Sequence, residues 1–173
     1  MKSGDALIVV DVQRDFLPGG GLAVPNGDEV VPVLNSYLSR FTAAGLQVVA
    51  TRDWHPPDHC SFTDQGGTWP PHCVKDSPGA RFAKGLRLSD DALLVSKATT
   101  RDADAYSGFD DTGLANYLGD ARVSRVFVGG LATDYCVLAT VRDALSSGFE
   151  VFVLSDAVRA VDVEPGDGER ALE

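Results

Sequence analysis

The sequence predicts an α/β protein with three α/β/α layers, in which a central, mostly parallel β-sheet lies between helices. Three observations lead there. Short apolar runs alternate with helical patterns along most of the chain. The first run is continuously apolar and rich in β-branched residues, as a strand buried on both faces requires. The length of 173 residues and a hydrophobic content of 44% suit one domain with a single core.

Taken in order, Ala6-Leu7-Ile8-Val9-Val10 reads as the first strand and ends at an acid, Asp11. Beyond Val30, the residues Val31, Leu34, Leu38 and Phe41 recur at three- and four-residue steps, an amphipathic helix of about three to four turns that Gly45 stops. Strands follow at Gln47 to Thr51, Leu93 to Ser96, Arg125 to Val128 and Val151 to Leu154, with a helix over residues 134 to 147. Between Trp54 and Ala92 the chain is rich in Pro, Gly, His and Asp, an irregular connection long enough to imply function. A last helix begins at Gly168, and the chain ends after about one turn of it.

A formal net charge of −10 argues against phosphate backbones and anionic lipid as partners, so neither nucleic acid nor a membrane surface is expected. The N-terminal apolar segment, roughly five residues, is too short for a signal-peptide core or a membrane span. The expected location is the cytoplasm. Three cysteines make no disulfide framework, so at least one thiol is free and must be packing, ligand or nucleophile.

Ligands of open parallel sheets bind beyond the carboxyl ends of the strands. Asp11, Asp53 and Lys97 stand at or just past such ends, and Cys136 follows the strand that ends near Val128. Singly, each has an ordinary reading as turn former, solvated cation or small packing residue. Their co-location carries the weight. In Gly129-Gly130-Leu131-Ala132-Thr133-Asp134-Tyr135-Cys136 the glycines release the strand, and Thr133 or Asp134 can cap the helix. The thiol then falls in the first helical turn, where the dipole and Lys97 would lower its pKa and free N–H groups could receive an oxyanion. Asp11 could take the thiol proton and return it to a leaving amine. Cys60 and Cys73 are expected to be structural.

All three histidines lie in Asp53-Trp54-His55-Pro56-Pro57-Asp58-His59 and Trp69-Pro70-Pro71-His72-Cys73. An Asp-x-His pair with a distant His offers the mixed oxygen and nitrogen donors that suit one divalent zinc, iron or manganese ion. Loop histidines acting as hydrogen-bonding anchors are the alternative.

These blocks, together with Val9 to Phe16, Ser96-Lys97 and Asp104-Ala105-Tyr106-Ser107-Gly108-Phe109, resemble the nicotinamidase/pyrazinamidase branch of the isochorismatase-like hydrolases over nearly the whole length. The resemblance implies a Rossmann-type fold and a cysteine amidohydrolase that converts nicotinamide to nicotinic acid and ammonia, serving NAD salvage. It implies a triad of Asp11, Lys97 and Cys136, an oxyanion hole of the Ala132 and Cys136 N–H groups, and a cis Leu131–Ala132 bond. It maps the metal onto Asp53, His55 and His72; His59 matches a fourth ligand in some relatives, with Asp64 behind it. Phe16, Trp69 and Tyr106 match aromatics lining the substrate pocket, although isolated aromatics more often pack in a core.

The resemblance further implies one domain over residues 1–173, short of the helix and last strand with which relatives continue, and leaves homo-oligomer formation open. Two rivals stand beside this reading. One is a related cysteine amidase acting on a carbamoyl or ureido compound; the other is a non-catalytic ligand- or metal-binding domain on the same scaffold.

Overall fold

The computed structural model describes residues 1–173. Its sheet has five strands in the order β3-β2-β1-β4-β5. They are β1 (Asp5–Val10), β2 (Gln47–Asp53), β3 (Leu93–Lys97), β4 (Arg125–Leu131) and β5 (Glu150–Arg159). Every pairing is parallel, as the expected layered α/β fold requires.

β1 shows why the sheet is sandwiched. Its residues are all buried, and successive side chains point to opposite faces. Leu7 and Val9 join the core cluster on one side, with Leu34, Leu38 and Phe41 of helix α1 (Val30–Ala43). Ala6, Ile8 and Val10 join the cluster on the other, with Leu114 and Leu118 of helix α2 (Leu114–Asp120) and Ala144 of helix α3 (Leu138–Ser146). A continuous apolar run is therefore the pattern this position demands.

α1 ends as expected. Gly45 adopts φ 62°, and the N–H of Leu46 reaches back to the Phe41 carbonyl at 3.0 Å, the bond that closes a left-handed helix stop.

Three differences from the sequence expectation have physical causes. α2 was not anticipated, because seven residues interrupted by Gly119 carry too little periodicity. β5 continues to Arg159 through the exposed Ser155 and Asp156, polar residues tolerated on an edge strand where the pairing to β4 shifts register. The helix expected over 134 to 147 opens with a wide π turn, Thr133–Val137, closed by Val137 N–H to Ala132 O at 3.0 Å, and neither Thr133 nor Asp134 caps it. A short helix α4 (Asp167–Ala171) closes the chain as expected. No helix is long and apolar enough to cross a membrane.

The connection between β2 and β3 contains only one short 3-10 turn, Thr63–Gln65. It is anchored by its backbone: His55 bridges to Val74 and Phe62 to Trp69. Gln13, fully buried, ties it to the sheet. Its side-chain amide accepts from Asp53 N–H at 2.8 Å and donates to Asp53 O at 2.8 Å and Ala80 O at 2.9 Å.

Candidate active site

Because β1 leads to β2 on one side and β4 lies on its other side, the carboxyl edge of β1 is the switch point of the sheet, where a crevice opens. The four strand-end groups converge there. Asp53 and Lys97 are register partners on adjacent strands, and Asp11 follows β1 directly in a left-handed conformation of φ 49°. Cys136 sits in the π turn after β4.

Lys97 is buried at the centre of this group. Its ammonium donates to Asp53 Oδ1, lies 2.9 Å from Asp11 Oδ2, donates to Ala105 O at 3.2 Å and reaches Cys136 Sγ at 3.5 Å. Burial opposes its charge, yet Asp11 and Asp53 hold its pKa well above the ordinary lysine value. Asp11 is also fully buried. One oxygen accepts from Thr51 Oγ1 at 2.6 Å, while Oδ2 has the Lys97 ammonium as its polar neighbour. Burial raises the Asp11 pKa against the pull of Lys97. Asp53 titrates lower than usual, since Lys97 and His55 outweigh its burial.

The thiol departs from expectation. Burial pushes the Cys136 pKa well up; Lys97 draws it down, and the carboxylates of Asp11 and Asp53 push it up again. Burial and the two carboxylates thus favour the neutral thiol, against the thiolate that a helix N-terminus and a lysine alone would favour. The Leu131–Ala132 peptide bond is cis, and the Ala132 N–H donates to no backbone carbonyl of the chain.

The donor trio Asp53, His55 and His72 also converges. His55 Nε2 lies 3.6 Å and His72 Nε2 4.0 Å from Asp53 Oδ2. Carbonyl oxygens only accept, so the contacts of His55 Nδ1 with Ala98 O at 3.2 Å and of His72 Nδ1 with Pro70 O at 2.8 Å place a proton on each Nδ1. Burial lowers the His72 pKa and favours its neutral ring. Both Nε2 atoms thereby face a carboxylate, a donor set that suits a divalent cation.

His59 does not join this set. Its ring stacks on His55 with centroids 4.2 Å apart, but Nδ1 bonds to Ser61 Oγ at 2.8 Å and Nε2 to Ala103 O at 3.2 Å, so both nitrogens are occupied. Asp64 lies exposed in the 3-10 turn, outside the donor group.

Above these groups opens a cleft of about 470 Å³, including open solvent at its mouth. Asp53, His55, His72 and Cys136 line it, with Ala132 beside the thiol, while Asp11 and Lys97 lie buried outside its lining. All three expected aromatics, Phe16, Trp69 and Tyr106, are in its wall. Trp69 Nε1 donates to Tyr106 Oη at 2.9 Å.

Sequence reasoning missed Tyr135, which packs edge-on against Trp69 at 5.1 Å and lines the same cleft. Its place three residues after Ala132 and next to Cys136 was the available signal. It missed Thr51 as well, whose alternation along β2 points it at Asp11.

Comparison with known proteins identifies the family of the chain. The isochorismatase domain model matches residues 5–169. The chain is 39% identical to the nicotinamidase of Escherichia coli K12 over 188 aligned positions, covering 96% of this chain and 88% of that protein. It superposes on the pyrazinamidase of Pyrococcus horikoshii, solved in complex with zinc, with a TM-score of 0.94 and 53% identity over 98% of this chain and 92% of that one. A protein from L. infantum solved in complex with nicotinate gives a TM-score of 0.89 and 40% identity, covering 98% of this chain and 87% of that chain. With its model match spanning nearly the whole sequence and its parallel sheet superposing on such relatives, the chain belongs to the isochorismatase domain family.

Proposed function

We propose that this protein is a nicotinamidase, a cysteine amidohydrolase that converts nicotinamide to nicotinic acid and ammonia and also deamidates pyrazinamide. One observation carries the reading. A thiol in contact with a buried lysine and beside a buried carboxylate lies in the lining of the aromatic-walled cleft that also holds an Asp-His-His donor set. The similarity to the E. coli nicotinamidase and to the zinc-bound pyrazinamidase supports it.

In this mechanism Asp11, its pKa raised by burial and its Oδ2 contacted by the Lys97 ammonium, accepts the Cys136 proton as sulfur attacks the carboxamide carbon. The N–H groups of Ala132 and Cys136 receive the oxyanion. As the C–N bond breaks, Asp11 gives the proton to the amine, which leaves as ammonia. Water, deprotonated by Asp11, then hydrolyses the thioester, releasing nicotinic acid and restoring the thiol. Lys97 remains protonated throughout, so the charge passing between Asp11 and sulfur stays balanced.

Phe16, Trp69 and Tyr106 enclose the flat ring, and Asp53, His55 and His72 would hold a divalent metal, which we take to be zinc, that would supply Lewis acidity toward the ring nitrogen and so orient the amide. We place the reaction in the cytoplasm, where the three unpaired thiols would persist.

The test is ammonia release from nicotinamide by the zinc-replete protein and by Cys136→Ala. Release by the wild type alone supports the reading. Equal release by the variant removes Cys136 as nucleophile, and none from a folded, zinc-loaded wild type removes the activity.

A further inference from the structure

None of the expected site residues lies beyond Cys136, yet Val161 lines the cleft. Its position follows from register. Leu131 of β4 pairs with Arg159 of β5, so the two strands leave the sheet side by side. Residue 161 then follows Arg159 as residue 133 follows Leu131. This brings the segment after β5 alongside the turn that carries the thiol.

No ladder holds that segment, since β5 ends at Arg159. A side chain does so instead. Asp134, two residues before Cys136, accepts from the Val161 N–H through Oδ1 at 3.0 Å and from the Asp162 N–H through Oδ2 at 2.8 Å. Both carboxylate oxygens are thus used on consecutive amides, a charge-assisted pair stronger than neutral hydrogen bonds. Asp162, in a left-handed conformation with φ 52°, extends the connection by accepting from the Gly168 N–H at 2.8 Å. Val161 itself packs against the core cluster that contains Phe16, Val24 and Ala132. Phe16, Val24 and Ala132 also line the cleft.

The sequence reading offered Asp134 as a helix cap, but the N-cap position is Ala132 and no side chain caps the turn. The carboxylate therefore faces the segment it holds and not the helix it precedes. We infer that Asp134 is a positioning residue that latches the segment after β5 to the nucleophile-bearing turn, so that Val161 forms a wall of the ring pocket and sets how tightly a pyridine carboxamide is held. The inference rests on the nicotinamidase reading and adds a specificity determinant to it.

Two consequences separate a latch from simple structural support. Asp134 would act on binding through Val161, so losing either residue should weaken binding of substrate and transition state alike, raising KM and leaving kcat nearly unchanged. The two losses should also fail to add, because a wall already released gains nothing further from truncation. Asp134→Asn keeps the shape but turns an amide NH2 toward one of the two N–H donors, and should fall between wild type and Asp134→Ala.

The experiment measures KM and kcat for nicotinamide, and the melting temperature, for zinc-loaded wild type, Asp134→Asn, Asp134→Ala, Val161→Ala and the double Ala variant. Expected are a KM increase of about tenfold in each single Ala variant, kcat within about threefold of wild type, and a double variant no worse than Asp134→Ala. Val161→Ala removes only two methyl groups and serves as the readout if Asp134→Ala fails to fold, with Asp134→Asn then reporting on the latch. An unchanged KM in Val161→Ala overturns the proposal, as does a loss confined to kcat or melting temperature in the Asp134 variants, or full additivity in the double variant. A folded wild type that releases no ammonia instead overturns the nicotinamidase reading itself.

Discussion

His55 Nε2 faces Asp53 Oδ2 at 3.6 Å, while its Nδ1 bonds to Ala98 O at 3.2 Å, so a ring nitrogen and a carboxylate oxygen share one side of the site. With His72 Nε2 at 4.0 Å from the same oxygen, the three offer the donors of a divalent cation.

Metal binding should therefore stabilise the fold. Free zinc at about a hundredfold above its Kd should raise the melting temperature by about 5–10 °C. Calorimetry with and without a chelator checks this. Asp53→Asn should lose most of the gain, whereas His59→Ala, whose nitrogens bond to Ser61 and Ala103, should keep the metal stoichiometry. Loss of bound metal in His59→Ala would return that residue to the donor set.

Thr51→Val tests the carboxylate proposed as base. Removing the 2.6 Å hydrogen bond from Thr51 Oγ1 withdraws a group that favours the ionised form of Asp11. The Asp11 pKa should rise further, so the acid limb of the kcat/KM profile should move to higher pH. A limb that stays in place, with metal content unchanged, would detach Asp11 from that ionisation.

At the opposite end of β1, Asp5 is buried and accepts from Arg125 Nε at 2.7 Å and Nη2 at 2.8 Å. Arg125 lowers the Asp5 pKa below its ordinary value of 3.8, against the effect of burial. A depressed native pKa contributes stability above the unfolded value, and that contribution is lost as pH falls through the native one. Asp5→Asn should thus be less stable than wild type at neutral pH, with the difference shrinking only below about pH 4. Urea unfolding at several pH values measures it. A difference independent of pH would mean that packing, rather than charge, is lost.

Gly130→Ala should be among the most damaging single substitutions. A Cβ there would stand 2.0 Å from Val10 O, and the residue has φ 135°, which side chains avoid. The expected cost exceeds about 3 kcal/mol. Soluble, fully folded protein with wild-type melting would contradict the geometry.

Much of the molecule could be read without coordinates. The unbroken apolar run of β1 required burial on both faces, and the three- and four-residue spacing in α1 required one buried stripe. Both are local periodicities and survive in a linear string. The site was legible for a related reason: in a parallel sheet the strand ends share one edge, so Asp11, Asp53, Lys97 and Cys136 could be brought together by counting strands.

What the chain alone determined, then, was the layered parallel sheet and the set of reactive groups at its carboxyl edge, because hydrophobic periodicity and strand direction are properties of sequence. Tertiary structure decided how those groups behave. The protonation of Cys136, the diversion of His59 to Ser61 and Ala103, the support of Asp11 by Thr51 and the arrival of Val161 beside Asp134 all depend on burial and on side chains meeting across long separations. Desolvation and hydrogen-bond direction exist only once distant segments pack, so no local pattern could encode them.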